Sequence, residues 1–475
     1  MLDLAASRRF APVTFITLRI DPPLNFSRSP DRPVTRLPLV WREPIVKSVT
    51  MISWDFDPFY VSGGSAYATR RLADQLTGLG IETKVLLPDH LNSFTGELVP
   101  LLKPIPVTIR ADLRQADRVV QYAEFCHAAA ALVEQVDATS ASDAVIAHGD
   151  EGAMFFVARN GNRSAARTVF WLHSLYDPPL AGLLDEQRRL LPSSSLLASA
   201  VMMAEIVVTS KGILKDAHAF EWPGRLKELQ KALVMASSEN RVLTVESIGC
   251  LPEDAKNSDE PISNTNLDSL RDLGSPYVFF PCRPMIDKGF GIFAAVAERL
   301  RAYGIASVAV QRPHHTSTWQ RPTRNGVHWL PWLSQKDLLL AMRNAACTVL
   351  PSLTEGFGLV AAESIRAGVR TVYHEVGGHH GLREQPHAHK IPLTMNEREQ
   401  LYSLWSDLID THPDSWSVWR RHETSLRPLV NKWVEAIRSI VNLPNDGAPG
   451  AEFGDVQLEK ERWANRLRDR LEAQE

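Results

Sequence analysis

Several things are missing from this chain of 475 residues, and each absence removes a class of function. There is no charge excess: 52 Lys and Arg stand against 55 Asp and Glu, a formal net charge of −3. A dedicated nucleic-acid binder carries a strong basic surplus, so no nucleic-acid partner is expected. Cysteine is scarce. Cys126, Cys250, Cys282 and Cys347 stand far apart with no C-x-x-C pair, which argues against a zinc ribbon or a redox couple and fits a reducing compartment. No apolar run approaches the ~18–20 residues a membrane helix needs. Behind Arg8 and Arg9, the stretch Ala11–Ile20 is broken by Pro12, two threonines and Arg19. It makes a poor signal peptide and reads better as a strand, Val13–Ile20. The expected location is the cytoplasm, with a peripheral contact to the inner face of a membrane left open. Two nucleotide fingerprints are also missing, G-x-G-x-x-G and G-x-x-x-x-G-K-[ST]. Their absence argues against an NAD-dependent dehydrogenase and a P-loop NTPase.

What is present suits two packed cores. The chain is 44% hydrophobic and 23% charged, ordinary for a globular protein. A single core rarely grows past about 250–300 residues, so two domains are expected. Residues 1–45 are rich in Pro and Arg and read as an N-terminal extension. From Val46 a strand, a Gly-Gly loop, a helix and a second strand (Glu82–Leu87) follow, the opening of a doubly wound parallel sheet. Short β-rich runs at Ala144–His148, Thr168–His173, Glu205–Thr209 and Val242–Ser247 continue it. The first domain is placed at 46–255. Residues 256–275 are polar, with Pro, Asn, Ser and Asp, and read as a linker. A second βα series at 276–440 includes strands at Tyr277–Pro281, Ala306–Val310, Val327–Leu330, Cys347–Pro351 and Arg370–His374. The end, 441–475, reads as a charged helical tail. The expected fold class is α/β, two Rossmann-like domains facing each other across a cleft.

Four loops follow strands and could carry chemistry. In Pro351-Ser-Leu-Thr-Glu-Gly-Phe-Gly-Leu-Val-Ala-Ala-Glu363 a strand ends, a glycine-containing loop follows and a helix starts near Leu359. Free N–H groups at a helix start receive phosphate, and Gly356 and Gly358 let an anion approach the backbone. Glu355 and Glu363 could both face the cleft, where a carboxylate accepts hydrogen bonds from vicinal hydroxyls. The second loop, Cys282-Arg283-Pro-Met-Ile-Asp-Lys288-Gly289, sets a planar cation and a compact one five residues apart, suited to a diphosphate. Third, Ser62-Gly63-Gly64-Ser65 permits a tight turn at a helix start. Fourth, His148-Gly-Asp150-Glu151 and His173-Ser174 stand at the ends of first-domain strands, where ligands bind in such sheets and a histidine can hydrogen-bond a polar substrate or move a proton. Histidine also gathers at His374, His379, His380, His387 and His389. With no cysteine and no regular spacing among them, no metal is expected, and Gly377-Gly378 between them reads as another loop at a strand end.

These residues resemble the retaining glycosyltransferases of family 4, which have the GT-B fold. Glu355 and Glu363 resemble the family's E-x7-E signature, Arg283 and Lys288 its R-x4-K pair, Ser62-Gly63-Gly64 its N-terminal Gly-Gly loop, and Val376-Gly377-Gly378 its late V-G-G turn. The run His328-Trp329-Leu330-Pro331-Trp332-Leu333-Ser334 is similar to the element that lines the nucleotide base. The resemblance covers roughly Val46 to Pro392. It implies a nucleotide-diphosphate sugar as donor, with Arg283 and Lys288 on the diphosphate, Gly63 and Gly64 near the donor phosphate or sugar, and Glu363 on the ribose hydroxyls. Glu355 would contact the transferred sugar, with Gly356, Phe357 and Gly358 supplying backbone donors. His173 would lie near the sugar and the acceptor. It implies transfer with retention, no metal and no separate cofactor.

Departures from the pattern are specific. Trp54-Asp-Phe-Asp-Pro58 stands where the family more often carries an acidic residue or Pro near its first strand end. The usual Glu after the Gly-Gly turn is replaced by His379-His380-Gly381. Starch and glycogen synthases carry a Lys before their Gly-Gly, where this chain has Ser62. A sugar phosphorylase, a nucleotide-sugar epimerase and a non-catalytic glycan- or nucleotide-binding subunit remain as alternatives. The acceptor, the donor base and sugar, and the oligomeric state are not legible.

Overall fold

A computed structural model describes residues 46–54, 56, 64–89, 101–111, 118–137, 142–159, 166–173, 193–222, 224, 226–245, 267, 270, 273, 276–311, 326–331, 333–382, 387–410, 415–442 and 456–472. The expected strand Val13–Ile20 lies outside the described residues, as does the whole extension 1–45.

The first half alternates strand and helix along the chain. Its elements are β1 (Ser48–Ile52), α1 (Gly64–Gly78), β2 (Glu82–Pro88), β3 (Leu102–Val107), α2 (Arg118–Asp137), β4 (Ala144–His148), α3 (Gly149–Ala158), β5 (Arg167–Trp171), α4 (Ser193–Met203), β6 (Ile206–Ser210), α5 (Lys211–Ala219), α6 (Leu226–Ser238) and β7 (Val242–Val245). The second half continues with β8 (Tyr277–Phe280), α7 (Phe290–Leu300), β9 (Ala306–Val310), β10 (Val327–Leu330), α8 (Gln335–Arg343), β11 (Cys347–Leu350), α9 (Leu359–Arg366), β12 (Thr371–His374), a 3-10 turn (Gly377–Leu382), β13 (Ala388–Ile391), α10 (Met395–Asp410), α11 (Ser415–His422), α12 (Arg427–Val441) and α13 (Val456–Glu472).

Two parallel sheets result. One has seven strands in the order β3-β2-β1-β4-β5-β6-β7, the other six in the order β10-β9-β8-β11-β12-β13. Every residue of β4, β8, β11 and β12 is buried, as in a sheet covered by helices on both faces. In each sheet the strand order reverses next to the first strand: between β1 and β4, and between β8 and β11. Crevices at such reversals, outside the carboxyl ends of the strands, are where ligands bind. The reversal in the second sheet is flanked by the Arg283–Lys288 loop after β8 and the Pro351–Gly358 loop after β11.

Two strands escape the sequence pattern. β3 reads Leu-Lys-Pro-Ile-Pro-Val and pairs with β2 from Thr83↔Leu102 to Pro88↔Val107. Its two prolines are tolerated because it lies at the sheet edge, where one row of N–H groups is not needed. β13 (Ala-His-Lys-Ile) is the opposite kind of edge, short and half-polar, held by β12. Within the expected linker 256–275 only residues 267, 270 and 273 are described. Leu267 and Leu270 are buried with Tyr277, Phe279 and Val308 in the core of the second half.

The charged tail folds back on the first half. Ala464, Leu467 and Leu471 of α13 fall at i, i+3 and i+7, one helical face. They are buried with Ala68, Leu72 and Leu76 of α1, and Arg466 Nη2 donates to the Thr244 carbonyl of β7 at 3.0 Å. The second half thereby sends its last helix onto the helix that starts at Gly64. Leu467 is 0% exposed. Replacing it by alanine should lower unfolding free energy by about 2–5 kcal/mol, the cost of a cavity at a leucine site. Urea unfolding of Leu467→Ala against the unsubstituted chain measures this.

Candidate functional site

The site begins where β8 and β11 end. The loop after β8 is tied to the loop after β11 through its backbone, with Leu353 N donating to Asp287 O at 2.9 Å. Gly289 has φ 76°, and a Cβ there would fall 1.8 Å from the Pro351 carbonyl oxygen. No side chain fits, which explains the glycine directly after Lys288. Within this junction Lys288 Nζ stands 3.0 Å from Glu355 Oε1, and Ser352 Oγ donates to the same oxygen at 2.8 Å.

The electrostatics follow from burial and proximity. Burial opposes the Lys288 charge, but the carboxylates of Glu355 and Asp287 outweigh it and raise its pKa. Burial likewise opposes the Glu355 charge. The Lys288 ammonium, His379 and the hydrogen bonds from Ser352 and Lys288 prevail and hold its pKa below the ordinary carboxylate value. Asp287 goes the other way: burial raises its pKa despite Lys288 and Arg283 nearby. The Cys282 thiol is pushed up to about 12, first by burial, so it is inert rather than a nucleophile. The two groups of the ion pair stay charged in a poorly hydrated crevice, where Coulomb interactions are stronger than in water.

The helix start follows. Gly358 caps α9 with φ 64° and no side-chain hydrogen bond. The first N–H groups of a helix have no intrahelical partner and point outward from its start. Glu363, in the second turn of α9, is 8% exposed. Beneath the loop lies the Gly377-Gly378 turn. Gly378 N donates to Glu355 O at 2.9 Å, and a Cβ on Gly378 would fall 2.4 Å from the Phe357 carbonyl carbon. His379 lies against Gly358, where a Cβ would meet its Cδ2 at 2.7 Å.

The first half supplies aromatic and neutral polar groups. His148 ends β4, and His173 follows β5 two residues on. His148 Nδ1 and His173 Nε2 are 2.9 Å apart, so one donates and the other accepts. Burial lowers the His173 pKa to about 3. Burial, then His173, lowers that of His148. Both are therefore neutral imidazoles near pH 7. Phe357, from the loop before α9, packs edge-on to Trp171 and His173, with ring centroids 5.9 and 5.8 Å apart. This contact brings the expected His173 to the loop that holds Glu355.

The structure thus gathers Glu355, Lys288, Gly356, Phe357, Gly358 and His173 at one junction, with Arg283 on the same loop as Lys288 and Glu363 on the adjoining helix. Gly64 opens α1. Gly63, and the side chains of Asp150 and Glu151, lie outside the described residues. Sequence reasoning missed the supports. His374 Nε2 accepts from Trp433 Nε1 at 2.7 Å, its Nδ1 faces the Ser352 carbonyl at 3.4 Å, and its own carbonyl accepts from His379 Nδ1 at 2.9 Å. His380 Nε2 meets Asp216 Oδ1 at 2.8 Å. His374, His379 and His380 are thereby engaged in separate hydrogen bonds, and among the described residues no three His, Cys, Asp or Glu groups stand together as metal ligands. No spacing in the sequence announces Trp433 or Asp216, because 59 and 164 residues separate them from their partners.

Residues 309–384 match the glycosyl transferases group 1 family. The matched stretch contains the loop Pro351–Gly358, Glu363 and the Gly377-Gly378 turn. No curated protein sequence matches the chain. Solved structures do share its fold. A sucrose-phosphate synthase from Thermosynechococcus elongatus superposes with a TM-score of 0.54 at 14% identity, covering 90% of this chain and 100% of that one. The catalytic domain of starch synthase IV from Arabidopsis thaliana, bound to ADP and acarbose, gives 0.52 at 17% identity, covering 83% and 99%. An E. coli trehalose-6-phosphate structure bound with UDP-2-fluoro glucose gives 0.51 at 13% identity, covering 89% and 98%. At these identities the likeness is one of fold, GT-B with its two Rossmann-like domains. The group 1 match supports a glycosyltransferase. No described helix is long and apolar enough to cross a membrane.

Neutral buried histidines make stability depend on pH. Burial lowers His374 from 6.5 to about 3. Between those values the unfolded chain binds a proton that the native state refuses. The contribution is complete above about pH 6.5 and is lost as pH falls toward 3, at up to about 1.4 kcal/mol per pH unit for one such group. Unfolding free energy measured from pH 7 to pH 5 should fall, and His374→Gln should fall less steeply.

Proposed function

We propose that this chain is a retaining glycosyltransferase of family 4 that moves a sugar from a nucleotide-diphosphate sugar to a hydroxyl-bearing acceptor. The observation that carries the reading is the convergence of Lys288, Glu355, the α9 start and His173 at one junction between the two sheets. In this reading Arg283 and Lys288 hold the diphosphate, and Glu363 holds the ribose hydroxyls. Gly63 and Gly64 approach the donor from the first half. The N–H groups of Gly356, Phe357 and Gly358 receive donor oxygens. Support for a nucleotide-sugar donor comes from the ADP and UDP-2-fluoro glucose bound in two proteins of the same fold.

The chemistry of the step follows from the charges. As the bond between the sugar and the diphosphate breaks, negative charge grows on the leaving oxygen. A preformed guanidinium and ammonium stabilise it without solvent reorganisation. Lys288 is paired with Glu355 at 3.0 Å. A bound diphosphate offers Lys288 a second anion, and the Glu355 carboxylate is then available to sugar hydroxyls. His173, neutral near pH 7, serves as a hydrogen-bonding group to the sugar or acceptor, oriented by His148, rather than as an acid. The residues assigned here call for no metal or separate cofactor.

Two measurements test this reading. A thermal-shift panel of UDP, ADP and GDP with their glucose esters should show stabilisation by one base and its ester, since ligands that bind only the folded state raise its melting point. Lys288→Ala should lower hydrolysis of that donor by roughly 100-fold or more, the scale of losing a preorganised charge at a developing anion. Unchanged hydrolysis would remove Lys288 from the assigned role. Turnover with inorganic phosphate in place of the nucleotide would identify a phosphorylase instead, and conversion of the donor sugar without acceptor an epimerase.

A further inference from the structure

Helix α5 reaches from the first sheet to the Gly377-Gly378 turn of the second. Its Asp216 is 4% exposed, and a carboxylate so buried is costly unless it is hydrogen-bonded. Both its oxygens are engaged by the other half of the molecule. Oδ2 accepts from the Gly377 N–H at 2.9 Å, and Oδ1 meets His380 Nε2 at 2.8 Å. The other nitrogen of His380 faces Glu375 Oε1 at 3.4 Å and Lys215 Nζ at 3.3 Å. One turn before Asp216, Gly212 lies so close that a Cβ would fall 1.6 Å from the Gly377 carbonyl oxygen. The next peptide carries the contact onward, because Gly378 N donates to Glu355 O. A continuous path of backbone and one carboxylate therefore runs from α5 to the loop before α9.

We propose that Asp216 is a positioning residue: it couples the approach of the first half to the second with the setting of the 355–358 loop. This rests on the functional reading above. With the halves together, Asp216 pins Gly377, and Gly377-Gly378 support the backbone of Glu355. With the halves apart, the Gly377 N–H and His380 lose their acceptor and the loop loses its brace. Asp216 touches no substrate in this scheme and acts only through the turn. The His379-His380 pair, a departure in the sequence, gains a reason: His380 is the side-chain half of the latch.

The test uses the full chain with Asp216→Ala, Asp216→Asn and Gly212→Ala. Without ligand, amide hydrogen exchange at 353–358 and 377–380 should speed up at least about tenfold in Asp216→Ala, as expected for losing a hydrogen bond to a charged group. Gly212→Ala should do the same without altering the carboxylate. Asp216→Asn keeps an acceptor for the Gly377 N–H and should restore most of the protection. The nucleoside diphosphate that stabilises the unsubstituted chain should bind Asp216→Ala within about threefold, because Arg283, Lys288 and Glu363 all belong to the second half. Affinity for its glucose ester, and hydrolysis of that ester, should drop roughly 10- to 100-fold, the equivalent of one charged hydrogen bond. Unchanged exchange at those amides overturns the proposal, as does an equal loss of diphosphate and ester affinity, which marks a merely structural role. If no nucleotide binds the unsubstituted chain, the functional reading falls, and the exchange comparison still decides the latch.

Discussion

Backbone contact at Gly377 is the constraint on which the rest of the cleft depends. A Cβ at this residue would fall 1.8 Å from the Glu355 carbonyl oxygen, and one at Gly212 would fall 1.6 Å from the Gly377 carbonyl oxygen. Three segments from two sheets thus meet through closely packed peptide groups, with the Asp216 carboxylate and the His380 ring beside them. Peptides that close exclude water and have defined hydrogen-bond partners, so the loop before α9 is held by backbone geometry, with Asp216 accepting from the Gly377 N–H beneath it. That loop carries Glu355 and leads into the α9 N-terminus, and its Phe357 reaches the rings of the first half.

The two halves bring different chemistry to this junction. The second contributes charge: Lys288 against Glu355, with Arg283 and Asp287 on the same loop. The first contributes neutral, oriented groups, His148 and His173 beside Trp171, against which Phe357 of the second packs. The division suits the proposed transfer, from an anionic leaving group to an uncharged hydroxyl. The anion needs fixed positive charge in a low-dielectric site, and the hydroxyls need hydrogen-bond partners that do not compete as ions. A glycosyltransferase on a GT-B fold accommodates both requirements, and the group 1 match falls on the segment that holds Glu355, Glu363 and the glycine turn.

The sequence made most of the second sheet legible because its strands are short, apolar and punctuated by glycine. Ala306–Val310 and Val327–Leu330 are strands with the boundaries their residues suggest. β3 was hidden because Pro104 and Pro106 argue against a strand everywhere except at an edge, and edge position is a property of the finished sheet. Leu267 and Leu270 were hidden in polar surroundings that look like linker. The Arg283–Lys288 and Glu355–Glu363 spacings were visible because each lies within one loop or a loop and the first two turns of the helix after it, where local geometry links position to direction.

What the chain alone determined is therefore local: alternating strands and helices, glycines where loops turn, and charges at strand ends. What only the tertiary structure decided is which of those loops touch. Lys288 finds Glu355 across 67 residues, Trp433 finds His374 across 59, and Asp216 finds Gly377 across 161. Such pairs depend on the order in which parallel strands lie side by side and on how the two sheets abut. Side-chain chemistry and short-range periodicity carry no information about distances of that kind.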